Sequence, residues 1–401
     1  MKVVHATNHL TRTGGGTAHV VWGLAIEHQK CWELVRVLGL KDAYDSVDWP
    51  VNCLPDFAVH THAQNGPFVL GWSSSLHHEL LAAGDINVLH QHGIWSMLSY
   101  SCHEWKRRYD NKQVIAVHGM LDEARLQQSR WKKRLFGALI EKANLRDADC
   151  LHALCMPEAL SMRHFGLKNP IMVIPNGVRL EDYAHLVNSA RFAEQFPETK
   201  NRRLILFMGR LHPLKGLFPM LQAWKKVKRF RDEGWMLVVG GPDQAGTEEK
   251  LKHLTEELEL KNDVLFTGVL YGEMKSAALA AASVFVLPSK TEGFAISLLE
   301  AMACCLPLII TRACNFPEVA KSGAGWEGEP TVDSLSELFE QSLSLTDDQL
   351  YKIGRCGYDL ICQEYTWEII AAKIARVYSW LLGASDYPAD LMLDPTIPEI
   401  K

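Results

Sequence analysis

At 401 residues, 47% hydrophobic and 22% charged, the chain has the make-up of a soluble, well-packed protein, and its length reads as two domains; disorder over most of it is excluded. A net charge of −5 argues against a protein whose work is coating nucleic acid, which takes basic surface. The N-terminus MKVVHAT lacks a secretory apolar core and no run approaches the ~18 apolar residues of a membrane span, so a cytoplasmic protein is expected.

Lys2 to Thr7 reads as a first strand. Thr13-Gly14-Gly15-Gly16-Thr17 follows it, ahead of an apolar-periodic helix from about Ala18 to His28. A glycine-rich strand-to-helix turn lets a phosphate approach the backbone, although the GxGxxG spacing is absent and a plain tight turn explains it equally well. A less regular region with Pro50, Pro55 and Pro67 comes next. Strands are then expected at Ile86–Leu89, Val114–Val117, Cys150–Ala153 and Ile171–Ile174, alternating with helical stretches, which implies a parallel sheet covered on both faces. His90, His92 and His118 end strands, so they are expected to line a ligand cleft; His90 and His92 share a strand face, with no third metal ligand in view.

The polar stretch from Glu181 to Arg203 marks a domain boundary. A second βα series then runs through Leu204–Met208, Met236–Val239, Val264–Thr267, Ser283–Leu287 and Leu308–Thr311. The expected division is 1–185 and 186–365, then a helix within 366–385 and a loosely ordered tail over 386–401. The ten cysteines form no CxxC pair and read as reduced thiols in cores.

Two stretches carry chemistry. In Gly209-Arg210-Leu211-His212-Pro213-Leu214-Lys215-Gly216, two cations beside a strand end and helix start suit a diphosphate, and the flanking glycines argue for close backbone approach. Pro288 to Thr311 reads as a strand end, a turn with Glu292 and Gly293, and a helix of about three turns carrying Glu300. Free N–H groups from about Ala295 to Leu299 would form an anion site, with the two acids placed for hydroxyls on either side. A hydrolytic carboxylate pair usually spans a scissile bond instead of one loop and helix start. Gly240-Gly241-Pro242 reads as a structural turn, and His78-Glu79-Leu80-Leu81 as a solvated helix face, since Ala82 replaces the second zinc-protease histidine. The basic groups Arg130, Lys132, Lys133, Arg134 around Trp131, and Lys225, Lys226, Lys228, Arg229, read as solvated faces before membrane contacts.

Together these segments, with VIPNGV and EYTWEIIAAKIARVY, resemble the retaining glycosyltransferases of family 4 over nearly the whole chain. HGMLDEARLQQSRWKKRLF with LKNPIMVIPNGV is similar to bacterial transferases of exopolysaccharide and envelope polysaccharide assembly, including those of heterocyst envelopes. The resemblance implies the GT-B fold, two Rossmann-like doubly wound α/β domains facing across a cleft, with the last helix packing back on the first domain. It implies a nucleotide-diphosphosugar donor, foremost UDP-glucose, and transfer of a hexose to a saccharide or lipid-linked acceptor. By the same resemblance Arg210 and Lys215 hold the diphosphate, and Glu300 holds the ribose. Glu292 with the Gly293, Phe294, Ala295 and Ile296 amides holds the sugar, Leu299 joins the nucleotide site, Gly15 and Gly16 approach the phosphates, and His118 stands near the donor sugar. Arg and Lys replace a metal, so no metal or other cofactor is expected, and peripheral contact with the inner face of the cell membrane is allowed. Ala295 departs from the family's usual glycine, which bears on donor choice. Rivals are a non-catalytic nucleotide-sugar sensor and a phosphorolytic enzyme of the same fold; a nicotinamide dehydrogenase is disfavoured by the missing GxGxxG.

Overall fold

A computed structural model describes residues 1–42, 58–66, 70–122, 126, 136, 140–184, 189–244 and 246–392. The basic stretch from Arg130 to Arg134, the prolines at 50, 55 and 67, and Cys53 lie outside the described residues. The chain forms two compact units, one of Met1–Gly177 with Trp367–Lys401 and one of Val178–Thr366.

The first unit is built on strands β1 (Lys2–Thr7), β2 (Leu34–Leu40), β3 (Ala58–His62), β4 (Val88–His92), β5 (Lys112–Ala116), β6 (Cys150–Ala153) and β7 (Ile171–Val173). They pair in parallel in the order β7-β6-β5-β4-β1-β2-β3. The order reverses between β1 and β4, the switch point where open α/β sheets bind ligands. Sequence reading missed β2 and β3. The tail, expected to be loosely ordered, instead contributes Leu391–Met392 as an antiparallel edge strand on β7, and Val173 N–H donates to Asp390 O at 2.9 Å. Two residues of strand carry no periodicity to read.

The helix Gly16–Gln29 begins two residues earlier than expected, on Gly16 itself. It packs against the helix Trp367–Leu381. Trp367 explains part of the terminal motif. A Cβ on Gly23 would lie 2.1 Å from its ring and one on Gly177 2.8 Å away, so the indole is seated between two glycines. Without them the largest side chain of the motif has no room.

The second unit contains β8 (Arg203–Met208), β9 (Trp235–Gly240), β10 (Val264–Gly268), β11 (Ala282–Leu287), β12 (Leu308–Thr311) and β13 (Gly325–Gly328), parallel in the order β10-β9-β8-β11-β12-β13. β8 and β9 are near-continuous apolar runs, as strands covered on both faces should be. β13, GWEG, has no such run and was not anticipated; a Cβ on Gly325 would meet Leu308 O at 2.0 Å, so glycine is required by the neighbouring strand. The helix after β11, expected to have three turns, is the eight-residue Ile296–Ala303. It stops at a turn in which Cys305 takes the left-handed conformation at φ 55° and Leu306 N–H returns to Ala301 O.

No helix among the described residues is long and apolar enough to cross a membrane. Lys225, Lys226, Lys228 and Arg229 pair with Glu259, Asp333, Asp232 and Glu233, which makes that surface a neutralised one. Glu79 is not simply solvated: it meets His60 at 2.5 Å, His62 at 3.0 Å and Arg36 at 3.8 Å.

Candidate functional site

In the second unit the strand order reverses between β8 and β11, and the loops leaving these adjacent strands carry the two motifs. Because the strands are neighbours, their loops meet, and Lys290 N–H donates to Leu214 O at 2.8 Å. Gly216 ends the first loop at φ 70°, and a Cβ there would lie 1.8 Å from Pro288 O. Glycine at 216 therefore serves the approach of one loop to the other, where the sequence had suggested approach to a ligand. Gly241 plays the same part toward Gly209, whose carbonyl oxygen lies 1.8 Å from the place a Cβ would take, so Gly240-Gly241-Pro242 is a structural turn.

This junction sets Lys215 against Glu292. The two form an ion pair with side chains 14% and 7% exposed. Ser289 Oγ donates to the same carboxylate oxygen at 2.7 Å, and Asn315 Nδ2 donates to the Glu292 carbonyl at 2.6 Å. Glu300, also buried, accepts from Lys275 Nζ at 2.6 Å. Tyr183 hydrogen-bonds to Glu300, and burial, then the carboxylate's charge, push its hydroxyl well above the usual tyrosine range. Each acid thus has its own lysine. The sequence reading missed Lys275, Tyr183 and Asn315, which lie far along the chain from their partners, and also Ser289, three residues before Glu292.

Arg210 is exposed and donates to Gln244 at 3.1 Å. Ala295 is the N-cap of the helix Ile296–Ala303, whose start has no side-chain cap. Leu298 N–H already donates to Ala295 O at 3.2 Å, so the expected run of free N–H groups from Ala295 to Leu299 is shorter than proposed. The Leu299 side chain is fully buried in the core, so it offers a ligand no side-chain contact. The Phe294 ring packs 4.9 Å from Phe316 and 5.9 Å from Tyr365, which anchors the loop ahead of the helix. Burial and the neighbouring acids push the Cys304 and Cys314 thiols up to about 12, which leaves both protonated and poor nucleophiles. A cavity of about 680 Å³ lined by Ala190, Asn201, Leu204 and Ala281 opens at the opposite, N-terminal strand edge and holds none of these groups.

In the first unit Gly15 caps the helix Gly16–Gln29 at φ 53°, and no side chain caps that start. His118 follows β5 at φ 51°, next to Gly119, whose N–H donates to Glu158. His90 and His92, expected to line a cleft, are 0% and 1% exposed. They lie inside a histidine group that also includes His5, His28 and His152, because β1 and β4 are adjacent and place His5 opposite His90 and Thr7 opposite His92. Burial holds His5 down to about 3 and His152 to about 4, with His28, His90 and His92 well below the usual range.

Residues 188–355 match the family described as glycosyl transferases group 1, and residues 15–177 match the family described as glycosyl transferase 4-like domain. The phosphatidyl-myo-inositol mannosyltransferase of Mycolicibacterium smegmatis is 31% identical over 53% of this chain and 52% of that protein. The lipopolysaccharide 1,2-N-acetylglucosaminetransferase of Salmonella typhimurium is 23% identical over 51% and 55%. The chain spans about half the length of the curated relatives it matches. Among solved structures, sucrose-phosphate synthase from Thermosynechococcus elongatus aligns at TM-score 0.76 with 18% identity, covering 96% of this chain and 100% of that one. HepE of Anabaena, solved with UDP and glucose, aligns at TM-score 0.75 with 17% identity, covering 94% and 99%.

Proposed function

Because this chain belongs to the family 4 glycosyltransferases of GT-B fold, we propose that it moves a hexose from a nucleotide diphosphosugar to a saccharide or lipid-linked saccharide, with retention at the anomeric carbon. The observation that carries this reading is the pair of buried acids at the β8/β11 switch point, each matched to a lysine and bracketing an uncapped helix start. A diphosphate at that start gains from the helix N-terminus, Lys215 and Arg210. Glu300 and Glu292 then accept hydroxyls of the ribose and of the sugar. The ion pair sets a cation for the diphosphate beside an acceptor for the sugar.

In the reaction the bond from the anomeric carbon to the diphosphate oxygen breaks and its electron pair leaves with the nucleoside diphosphate. The acceptor oxygen bonds to the same face of that carbon, and its proton leaves with the departing group. Charge growing on the diphosphate meets preorganised cations, which stabilise the transition state more than the ground state. The roles of Gly15, Gly16 and His118, transfer without a metal at the diphosphate and a place in envelope polysaccharide assembly belong to the same reading and rest on the family resemblance.

A thermal-shift panel of nucleotide sugars, followed by NMR of the product anomer, tests it. UDP-glucose is expected to stabilise the protein most; GDP-mannose belongs in the panel because several relatives are named for it. No shift with any donor, or release of sugar phosphate by inorganic phosphate alone, overturns the reading.

A further inference from the structure

The buried histidines of the first unit have none of the roles given above, and meet that site only through His118. One ring nitrogen from each of His5, His90 and His92 lies within 4.8 Å of those of the other two, and all three residues are buried. His5 Nδ1 and His92 Nε2 are 3.0 Å apart, and His90 Nε2, fully buried, has no hydrogen-bond partner. The far nitrogen of each ring is held. His5 Nε2 meets His28 Nδ1 at 3.2 Å, His92 Nδ1 meets His118 Nε2 at 3.3 Å, and His90 Nδ1 meets Tyr378 Oη at 2.6 Å. A fourth imidazole, His152, has its ring centroid 5.4 Å from that of His90 and its Nε2 2.8 Å from Ile174 O; the carbonyl can only accept, so Nε2 carries the proton and Nδ1 is a buried lone pair with no partner.

Three imidazoles converging on one point, each with its other nitrogen fixed by an outer group, is the arrangement by which proteins orient metal-ligating histidines. His90 Nε2 and His152 Nδ1 are buried without a hydrogen-bond partner, a cost that an ion would remove once Tyr378 Oη accepts from His90 Nδ1 and leaves Nε2 a lone pair. A tetrahedral ion with nitrogens at about 2.0 Å spaces them about 3.3 Å apart, close to the His5–His92 separation of 3.0 Å. The group contains no carboxylate or thiolate, which disfavours magnesium and calcium and suits a borderline transition metal.

We propose that His5, His90 and His92 form a buried, structural site for one divalent transition-metal ion of the zinc class, with His152 as the candidate fourth ligand. The ion enters as the chain folds, since the site is closed to solvent, and it ties β1 to β4 at the switch point of the first sheet.

The test uses the full chain, produced without a histidine tag in medium containing Co²⁺ and dialysed against EDTA. About one Co²⁺ per chain, with the intense visible absorption of a tetrahedral site, is expected. His90→Gln is expected to lose the ion and the absorption, while His253→Ala, at an exposed histidine, keeps both. Less than about a tenth of an equivalent in the wild type, or equal metal in His90→Gln, overturns the site. Should His90→Gln not fold, wild-type protein unfolded, stripped of metal and refolded with or without Zn²⁺ decides: a Tm higher by about 5 °C or more with Zn²⁺ supports the site, and equal values overturn it.

Discussion

Gly216 and Pro288 touch through their backbones so closely that a single added methyl group would overlap the Pro288 carbonyl oxygen, and this contact aligns Lys215 with Glu292. The glycine in the first motif and the proline opening the second are one structural unit, although 72 positions separate them. Gly216→Ala combines a left-handed backbone with a clash that neither loop can relieve. A loss of about 3 kcal/mol or more in denaturant unfolding is expected, together with loss of donor binding. Gly15→Ala is the comparison: no atom lies within 4 Å of its Cβ position, so only the backbone conformation is penalised, by about 1–3 kcal/mol.

Lys215 is expected to matter twice, once for stability and once for the donor. Lys215→Met leaves Glu292 buried without its counter-charge and should cost about 3 kcal/mol. The double variant Lys215→Met/Glu292→Gln removes both charges and should recover most of that stability while still failing to bind a nucleotide diphosphate. Recovery of donor affinity along with stability would show that Lys215 does not contact the diphosphate.

Calorimetry separates the acids. Glu300→Ala should weaken UDP itself by about 10-fold or more, the worth of one charged hydrogen-bonding group. Glu292→Ala should spare UDP and weaken the UDP-sugar. The reverse order exchanges their roles. Lys275→Ala, which leaves Glu300 without its lysine, should lower UDP affinity if the pair orients the carboxylate, and leave it unchanged if Lys275 only neutralises it.

Glu141 supplies a pH test of the first unit. Burial raises its carboxyl above the usual value of 4.5, against hydrogen bonds from Trp95 N–H and Asn144. The folded state therefore binds a proton more tightly than the unfolded chain, and the associated stability is present below 4.5 and lost as pH rises through the raised folded value. The stability of the wild type relative to Glu141→Gln should fall as pH rises above 4.5 and level off once the buried carboxyl has ionised. A flat difference would mean that the carboxyl is not perturbed.

Much of the second unit was legible because its strands are apolar runs that need no partner to be recognised, and because Arg210, Lys215, Glu292 and Glu300 sit at fixed distances from strand ends. β2, β3, β13 and the Leu391–Met392 strand were missed: polar residues, glycines or shortness remove their periodicity, and only pairing with a neighbour makes them strands. Lys275 and Tyr183 were missed for the same kind of reason, since nothing near them in sequence refers to Glu300. The sequence by itself determined the residue types, the βα alternation and the charges carried by the two motifs. Only the tertiary structure decided which lysine answers which acid, why Gly216 must be glycine, and that His90 and His92 turn inward to meet His5. Those relations depend on which strands lie side by side, and strand order is set by packing of the whole sheet, not by any one stretch of the chain.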